Sequence, residues 1–552
     1  MAFGLLGEPS FRRIDCRPRG RTSGAWLPPL ILLIPWFAAG CASLPSAANY
    51  PKVRSEALLE PETTTFGRRF AADARANGGK SGFRIINVGV DGFLARLEMI
   101  NAAERTLDLQ YYIFRGDESG TVITDALKRA ADRGVRVRVL VDDGETVAGD
   151  EQILTLTGHA AVEIRVFNPW AYRGHNAFLR DTEYLLRHSR LDYRMHNKLF
   201  IADGVAALIG GRNIGDQYFQ IDPDSQFADD DVFVGGPLVR QLSATFDEFW
   251  NSTLAIPSEA LARRRADSPA PRFRGRKNAP APKAASAGLN FREKLAAGEP
   301  LAGIMTSRSP LIWAHAQVVC DSPDKKRLVA GARAGSLMYE PVANAARHTQ
   351  TELLMVTPYF VPTKEEVRLL EERLRDGVRI RVLTNSLEST PDLSAHSGYM
   401  HYRTPLLREG VEFHEVRALP GNTRGSGESA RLARKGNYGL HAKLFVFDRE
   451  QLFIGSMNFD RRSRHLNTEI GLIIADSDLS KQAAARFEAM TQEENSYAVA
   501  LRPDAALAKS ARLVWRTSEA GRSVAYESEP ARSAWQKFRV SVLSVLPLDP
   551  EL

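Results

Sequence analysis

Two stretches of this 552-residue sequence carry the same polar residues at the same spacing. Residues 196–213 read HNKLFIADGVAALIGGRN, and residues 441–458 read HAKLFVFDREQLFIGSMN. Each stretch has a His, a Lys two positions later, an Asp five positions after the Lys, and an Asn ten positions after the Asp. Four polar residues matched in this way, inside apolar runs, predict a duplicated functional site rather than a chance repeat.

These residue types suit the cleavage of a phosphodiester, which is anionic, resists nucleophiles and has a poor alkoxide leaving group. Ammonium groups and small polar side chains would neutralise its non-bridging oxygens. One neutral imidazole would attack the phosphorus, and a second, cationic imidazole would donate a proton to the leaving group. Since each stretch supplies one His and one Lys, a single site needs both stretches. The candidates are His196, Lys198, Asp203, His441, Lys443 and Asp448 in the two motifs, with Asn213, Ser456 and Asn458 beside the phosphate.

A β-strand would bring each His and its Lys to one face, because side chains two residues apart point the same way. Asp203 and Asp448 lie where a turn is expected, so they are predicted to support the fold rather than to react. A Lys beside each His would repel a cation, so no metal site is expected. No cofactor is expected either, because Gly79-Lys80-Ser81 lacks the earlier Gly of a nucleotide-binding loop.

The elements that must position these motifs are also repeated. Residues 132–140 read DRGVRVRVL, and residues 375–383 read RDGVRIRVL. Tyr112 precedes the first motif by 84 residues, and Tyr359 precedes the second by 82. The first half is predicted to contain a helix over 83–98, a strand over 106–114, a helix over 120–133 and a strand over 135–141. This order predicts two α/β lobes related by a pseudo-two-fold axis, each a mixed, mostly parallel sheet flanked by helices.

The paired motifs resemble those of the phospholipase D superfamily. The sequence around the first motif, MHNKLFIADGVAALIGGRNIGDQYF, resembles the bacterial cardiolipin synthase branch, in particular its C-type members. The resemblance implies a covalent phosphohistidine intermediate, with His196 as nucleophile and His441 as general acid and then base. The near-symmetry of the motifs does not by itself decide between the two histidines. The resemblance also implies an acid that orients an imidazole, which is Glu469 in the second half and Asp229 or Asp231 in the first.

The first 41 residues are predicted to be a lipoprotein-type signal peptide. Five Arg precede an apolar stretch over 25–39, and small residues then lead to Cys41 as the lipidated position. A membrane-anchored protein facing the periplasm, in the inner or the outer membrane, is therefore expected. The remaining organisation is predicted as a tether over 42–81, a first lobe over 82–257, a linker over 258–305, a second lobe over 306–500 and a C-terminal extension over 501–552. A helix around Trp535 and Phe538 is expected to pack on the core rather than to lie on a membrane.

Phosphatidyl transfer is the leading functional hypothesis, because a phosphohistidine exchanges one alcohol for another without nucleotide triphosphate. By resemblance, the product is cardiolipin, the acceptor is phosphatidylglycerol, and the donor is phosphatidylglycerol or phosphatidylethanolamine. The partners expected are phospholipids, a membrane surface and a small companion protein, and the two repeats are expected to complete one active site within a monomer. A phospholipase D that hydrolyses phospholipid is the first alternative. Without its first 41 residues the chain has a net charge of only +4, which speaks against nucleic acid as the substrate or partner. A non-enzymatic lipoprotein scaffold is a further alternative.

Overall fold

The computed structural model describes residues 52–144, 158–172, 176–222, 224–261, 310–326, 338–419, 438–502 and 512–545. The predicted signal peptide with Cys41, most of the predicted linker and residues 420–437 lie outside these ranges. Within them, the chain forms two lobes with the same order of elements. None of the helices in the described ranges is both long enough and apolar enough to cross a bilayer.

The first lobe follows a short helical turn, Pro61–Thr63. Its strands are β1 Ser81–Ile86, β2 Thr106–Tyr111, β3 Arg136–Asp142, β4 Val162–Phe167, β5 Leu199–Ala202, β6 Ala206–Gly210, β7 Gln226–Ala228, β8 Asp231–Gly235 and β9 Ala255–Pro257. Its helices are α1 Thr65–Ala76, α2 Gly89–Ala102, α3 Glu118–Asp132, α4 Ala177–Leu191 and α5 Leu238–Asn251.

The second lobe repeats this order and adds a C-terminal hairpin and helix. Its strands are β10 Ile312–Cys320, β11 Glu352–Val356, β12 Phe360–Val361, β13 Arg379–Asn385, β14 Glu412–Val416, β15 Tyr438–Leu440, β16 Leu444–Phe447, β17 Gln451–Gly455, β18 Phe459–Asp460, β19 Ile470–Ala475, β20 Ser496–Leu501, β21 Leu513–Glu519 and β22 Arg522–Tyr526. Its helices are α6 Tyr339–His348, α7 Lys364–Arg375, α8 Leu393–Glu409, α9 Arg461–His465, α10 Ser477–Met490 and α11 Ala534–Val545.

The two lobes share one continuous sheet. In the first lobe the strands lie side by side in the order β9-β4-β3-β2-β5-β6-β8-β1. The second lobe continues with β10-β19-β17-β16-β11-β13-β14-β20-β21-β22. Strands β1 and β10 join the halves as an antiparallel pair, with Gly82 opposite Trp313. Eight strands of each lobe therefore correspond one to one about the β1–β10 junction, as the predicted pseudo-two-fold symmetry requires.

Alternation along the strands explains how this sheet is buried on both faces. In β6, Leu208 packs into a core beneath α2 and α3, whereas Ala207 and Ile209 pack into a second core. That second core is shared by the lobes, because it also contains Leu444 and Ile454 of the second motif. The two motifs thus pack against each other through the hydrophobic backs of their own strands.

The mixed α/β fold in two tandem copies confirms the predicted fold class, but three details of the prediction were wrong. Within the continuous sheet, parallel pairing is confined to β2-β3-β4 and β11-β13-β14. Antiparallel strand pairs outnumber parallel ones in the described ranges, so the sheets are not mostly parallel. The helix predicted over 83–98 is a strand followed by a helix, and Asn87 and Val88 separate the two elements. The sheet register also aligns Tyr359 with Ile113, since Val356 and Gln110 occupy the same position opposite β16 and β5.

The N- and C-terminal segments pack on the lobes. The described part of the predicted tether, 52–81, is anchored on the first lobe, with Ala57 N–H donating to Asp247 Oδ2 at 2.7 Å and Arg138 Nη1 donating to Ser55 O at 3.0 Å. Helix α11 packs on α8 through the buried Val540, while Trp535 and Phe538 on its other face stay exposed.

Asp203 and Asp448 tie each motif hairpin to the neighbouring strand. Both have a positive φ, of 50° and 53°, in the turn of the hairpin. The Asp203 carboxylate accepts the backbone N–H groups of residues 104–106 at 2.8–2.9 Å. Asp448 accepts those of residues 350–352 at 2.7–3.0 Å. These contacts fasten the start of β2 and of β11, as expected for structural supports.

Replacing Asp203 with Ala should lower the free energy of unfolding by about 2 kcal/mol, because three N–H groups lose a buried acceptor. Asp448→Ala is the matched comparison. Asp448 is only partly buried, so water can replace part of its hydrogen bonding, and a smaller loss of stability is expected. Urea denaturation of the two variants measures the difference. An Asp203→Ala protein with unchanged stability and lost activity would instead make this carboxylate a chemical participant.

Candidate active site

Both motif histidines open onto one cavity between the lobes. The cavity has a volume of about 380 Å³, and its wall includes His196 and Asn213 from the first lobe and His441 and Asn458 from the second. The two imidazoles therefore share a cleft, as the duplicated motifs required. Asp203 and Asp448 do not contribute to this wall.

Each imidazole is held by a carboxylate from the other lobe. His196 Nδ1 lies 2.9 Å from Glu469 Oε2, and His441 Nδ1 lies 2.6 Å from Asp229 Oδ2. A carboxylate accepts a hydrogen bond from an N–H group, so Nδ1 carries the hydrogen on both rings and Nε2 is left for substrate. The ring nitrogens available to a substrate are therefore the two Nε2 atoms.

Backbone pairing between the lobes fixes these crossed contacts. His196 N–H donates to Thr468 O at 2.9 Å, immediately before Glu469. Strand β15 pairs in parallel with β7, and His441 N–H donates to Ala228 O at 2.8 Å, immediately before Asp229. The backbone N–H of each His is thus hydrogen-bonded to the residue that precedes the acid of the other lobe.

The sheet register identifies Asp229, not Asp231, as the counterpart of Glu469. Gly211 N–H donates to Asp230 O in the first lobe, and Ser456 N–H donates to Ile470 O in the second. Asp231 forms a buried ion pair with Arg96 at 2.9 Å, so its inclusion among the site residues was wrong.

The Gly/Ser difference between the motifs follows from the two acids. A Cβ at Gly211 would lie 2.1 Å from Asp229 Oδ1, so the shorter carboxylate occupies that space. In the second lobe, Ser456 Oγ instead donates to Glu469 Oε2 at 2.5 Å. Ser456 therefore positions the acid, and it is not among the described residues that line the cavity.

Lys198 and Lys443 are buried behind the histidines. Lys198 Nζ donates to His196 O at 2.6 Å, and Lys443 Nζ donates to His441 O and lies 3.1 Å from His441 Nδ1. Burial lowers the pKa of Lys443 to about 8 and the pKa of Lys198 well below its usual value, although nearby carboxylates oppose the shift. An anionic phosphoryl group entering the cavity would raise the pKa of both lysines and so favour their charged form.

The titration of the histidines and acids differs between the half-sites. Burial, followed by the neighbouring lysines, lowers the pKa of His441 to about 3 and the pKa of His196 well below 6.5. Burial raises the pKa of Glu469 to about 7. Burial alone would raise the pKa of Asp229, but His441 and Lys443 outweigh it and hold that pKa below its ordinary value. The free site thus has neutral imidazoles, one firmly ionised acid and one acid near its midpoint at neutral pH.

Several cavity residues were missed by sequence reasoning. The segment from Asn213 to the first acid is 16 residues long, against 11 from Asn458 to the second, and this insertion was the available signal. It places Tyr218 and Phe227 against His441, with ring centroids 5.1 and 5.3 Å away. The other missed wall residues are Ile113, Arg115, Gln217, Val361, Pro391, Asp392, Ala395, Asp460, Arg462 and Asn467.

A two-lobed fold with crossed His–carboxylate pairs and buried lysines around one cavity defines a phospholipase D-like phosphotransfer enzyme. A family model described as "Cardiolipin synthase, PLD-like domain" matches residues 97–250 and 342–491. The chain is 35% identical to cardiolipin synthase C of Escherichia coli, over 85% of this chain and 96% of that protein. The chain therefore belongs to the cardiolipin synthase family, and it is an enzyme of the phospholipid transferase type.

One further curated relative and one solved structure have lower sequence identity to the chain. A probable cardiolipin synthase of Bacillus subtilis is 25% identical over 75% of this chain and 67% of its own length. The crystal structure of phosphatidylserine synthase from Haemophilus influenzae superposes with a TM-score of 0.48 and 13% identity, covering 78% of this chain and 91% of that one.

The pH dependence of kcat/KM should be bell-shaped around neutral pH. Below about pH 7 Glu469 gains a proton and no longer holds the His196 Nδ1–H as an anion, so the rate falls on the acid side. Above about pH 8 the Lys443 ammonium loses its proton, so the rate falls on the alkaline side.

Glu469→Gln should lower the rate and remove the acid limb while leaving the alkaline limb in place, because the amide accepts a hydrogen bond but does not titrate. Initial rates from pH 5 to 10 for both proteins provide the measurement. An acid limb that persists in the variant would assign that limb to another group.

Proposed function

We propose that the protein makes cardiolipin from phosphatidylglycerol and a phosphatidyl donor, either phosphatidylglycerol or phosphatidylethanolamine, through a phosphohistidine. The observation that carries this proposal is the pair of imidazoles that face one cavity, each held by the other lobe's carboxylate. The 35% identity to a cardiolipin synthase over nearly all of that protein supports the choice of product.

In the first step, His196 Nε2 attacks the phosphorus of the donor, and the bond to the headgroup oxygen breaks. His441 donates its Nε2 proton to that oxygen, so the headgroup leaves as a neutral alcohol. The lysine ammonium groups and the amides of Asn213 and Asn458 stabilise the non-bridging oxygens. His441 is neutral in the free site, and the negative charge of the bound phosphodiester raises its proton affinity.

The difference between the two acids supports this division of roles. Asp229 stays ionised and stabilises the imidazolium of His441, which the general acid requires. Glu469 has a raised pKa and pairs with His196, which needs to be neutral before it attacks. The half-sites are similar in geometry and unequal in charge.

In the second step, the hydroxyl of phosphatidylglycerol attacks the phosphohistidine. Its oxygen forms the new bond to phosphorus, its proton passes to His441 Nε2, and His196 regains its lone pair. Because an ester replaces an ester, no nucleotide is required. Water in place of this hydroxyl would give phosphatidic acid, which is phospholipase D activity.

Incubation of the purified protein with liposomes of labelled phosphatidylglycerol should give labelled cardiolipin and free glycerol. His196→Ala and His441→Ala should each lower the rate by about a thousandfold or more, because nucleophile and proton transfer are lost. Thin-layer chromatography and mass spectrometry separate the products. Phosphatidic acid without cardiolipin from the unaltered protein would show a hydrolase.

The nucleophile is tested by trapping. His441→Asn should retain the label as an acid-labile, base-stable phosphohistidine, and peptide mapping should place it on His196. Label on any other residue would refute the assignment of His196.

The proposed location is a membrane, with a lipid on Cys41 and the enzyme facing the periplasm. The small apolar residues before Cys41 support this anchor, and the phospholipid substrates of the family support work at a membrane surface. A small companion protein is part of the same proposal.

Cys41→Ala should prevent lipid attachment and processing. Mass spectrometry of the mature N-terminus and fractionation of cells measure the change. The matched control is Cys320→Ala, because this cysteine lies within β10 and should leave the N-terminus unchanged. An unaltered N-terminal mass in the Cys41 variant would exclude lipidation.

A further inference from the structure

The cavity wall includes an arginine, Arg115, that has no role in the proposed phosphohistidine chemistry. Arg115 follows β2 and lines the cavity with its side chain exposed. It makes no side-chain hydrogen bond or ion pair with any residue in the described ranges. The nearby Asp117 carboxylate accepts from Asp216 N–H at 2.8 Å and from Gly120 N–H at 3.1 Å instead.

Arg115 lies on the His441 side of the cavity. The side chains of Arg115 and Tyr218 flank Gly215, because a Cβ built there would lie 3.3 Å from Arg115 Cδ and 3.4 Å from Tyr218 Cδ2. The Tyr218 ring in turn meets the His441 ring edge-on, with centroids 5.1 Å apart.

The charge is not repeated by the pseudo-symmetry. Phe114 pairs with Ile214 in the first lobe, and Phe360 pairs with Phe459 in the second, so the next residues, Arg115 and Val361, correspond. Both line the cavity, but only the His441 side has the guanidinium at this position. The other wall arginine, Arg462, lies near the His196 side, where its Nη2 donates to Asp192 O at 3.2 Å.

We propose that Arg115 binds the second phosphate of the acceptor, the phosphodiester that an acceptor phospholipid carries in addition to its reacting hydroxyl. This inference rests on the proposed function. The acceptor hydroxyl gives its proton to His441 Nε2 while its oxygen bonds to phosphorus and the His196 N–P bond breaks. The acceptor headgroup therefore lies on the His441 side, and three glycerol carbons join its hydroxyl to its own phosphate. A planar guanidinium there pairs with that anion.

The role of Arg115 is to favour a phospholipid over an uncharged alcohol. A neutral acceptor such as ethanol reacts with the same phosphohistidine but has no phosphate for Arg115 to bind. The ratio of the two transfer products therefore reports on acceptor binding alone, because donor binding and phosphohistidine formation are common to both.

The test is a competition in which the full-length protein acts on labelled phosphatidylglycerol liposomes in the presence of ethanol. Arg115→Gln should lower the ratio of cardiolipin to phosphatidylethanol about tenfold or more, because a charge-assisted bond to the acceptor is lost. Arg115→Lys should recover part of that ratio, since it keeps the charge without the planar fork. Arg462→Gln is the matched control on the other side and should leave the ratio unchanged.

Three results would overturn the assignment. An Arg115→Gln protein in which the ratio and both rates are unchanged would show that this guanidinium does not contact the acceptor. A proportional loss of both products in Arg115→Gln and in Arg115→Lys would give Arg115 a structural or donor-binding role. A selective loss in Arg462→Gln would place the acceptor on the His196 side. If the unaltered protein makes phosphatidylethanol but no cardiolipin, the proposed function itself fails.

Discussion

The exchange of carboxylates between the lobes is the constraint on which this structure depends. His196 is oriented by Glu469 and His441 by Asp229, so neither lobe holds a complete catalytic pair. The continuous sheet through β1 and β10 and the shared central core fix the lobes firmly enough to keep both contacts below 3 Å. A separate lobe would leave its His without the carboxylate that orients the imidazole.

The electrostatics of the site make it ready for an anion. Two ammonium groups and two imidazoles lie close together, against two carboxylates. Burial lowers the proton affinity of the bases, which leaves both imidazoles neutral in the free site. A bound phosphodiester adds a negative charge to this site, so the binding of an anionic substrate and the protonation of an imidazole favour each other.

Divergence between the two copies is as important as their similarity. Phosphotransfer needs one imidazole that attacks and another that transfers a proton, so unequal half-sites can each suit one of the two roles. The two half-sites differ in three places. The shorter acid occupies the space above Gly211, and the insertion brings Tyr218 and Phe227 against His441. The first lobe also has Arg115 where the second lobe has Val361. All three lie on the His441 side of the site.

The sequence by itself determined the duplication, the two-lobed α/β class and the histidines and asparagines that meet at one cavity, because the spacing of His, Lys, Asp and Asn is identical in the two motifs. It also indicated that Asp203 and Asp448 support turns. Only the tertiary structure decided that each acid serves the other lobe's His, that Asp229 rather than Asp231 does so, and that most strand pairs are antiparallel. Those facts depend on sheet register and on contacts between residues more than 200 positions apart. Local periodicity carries no information about such distant pairings.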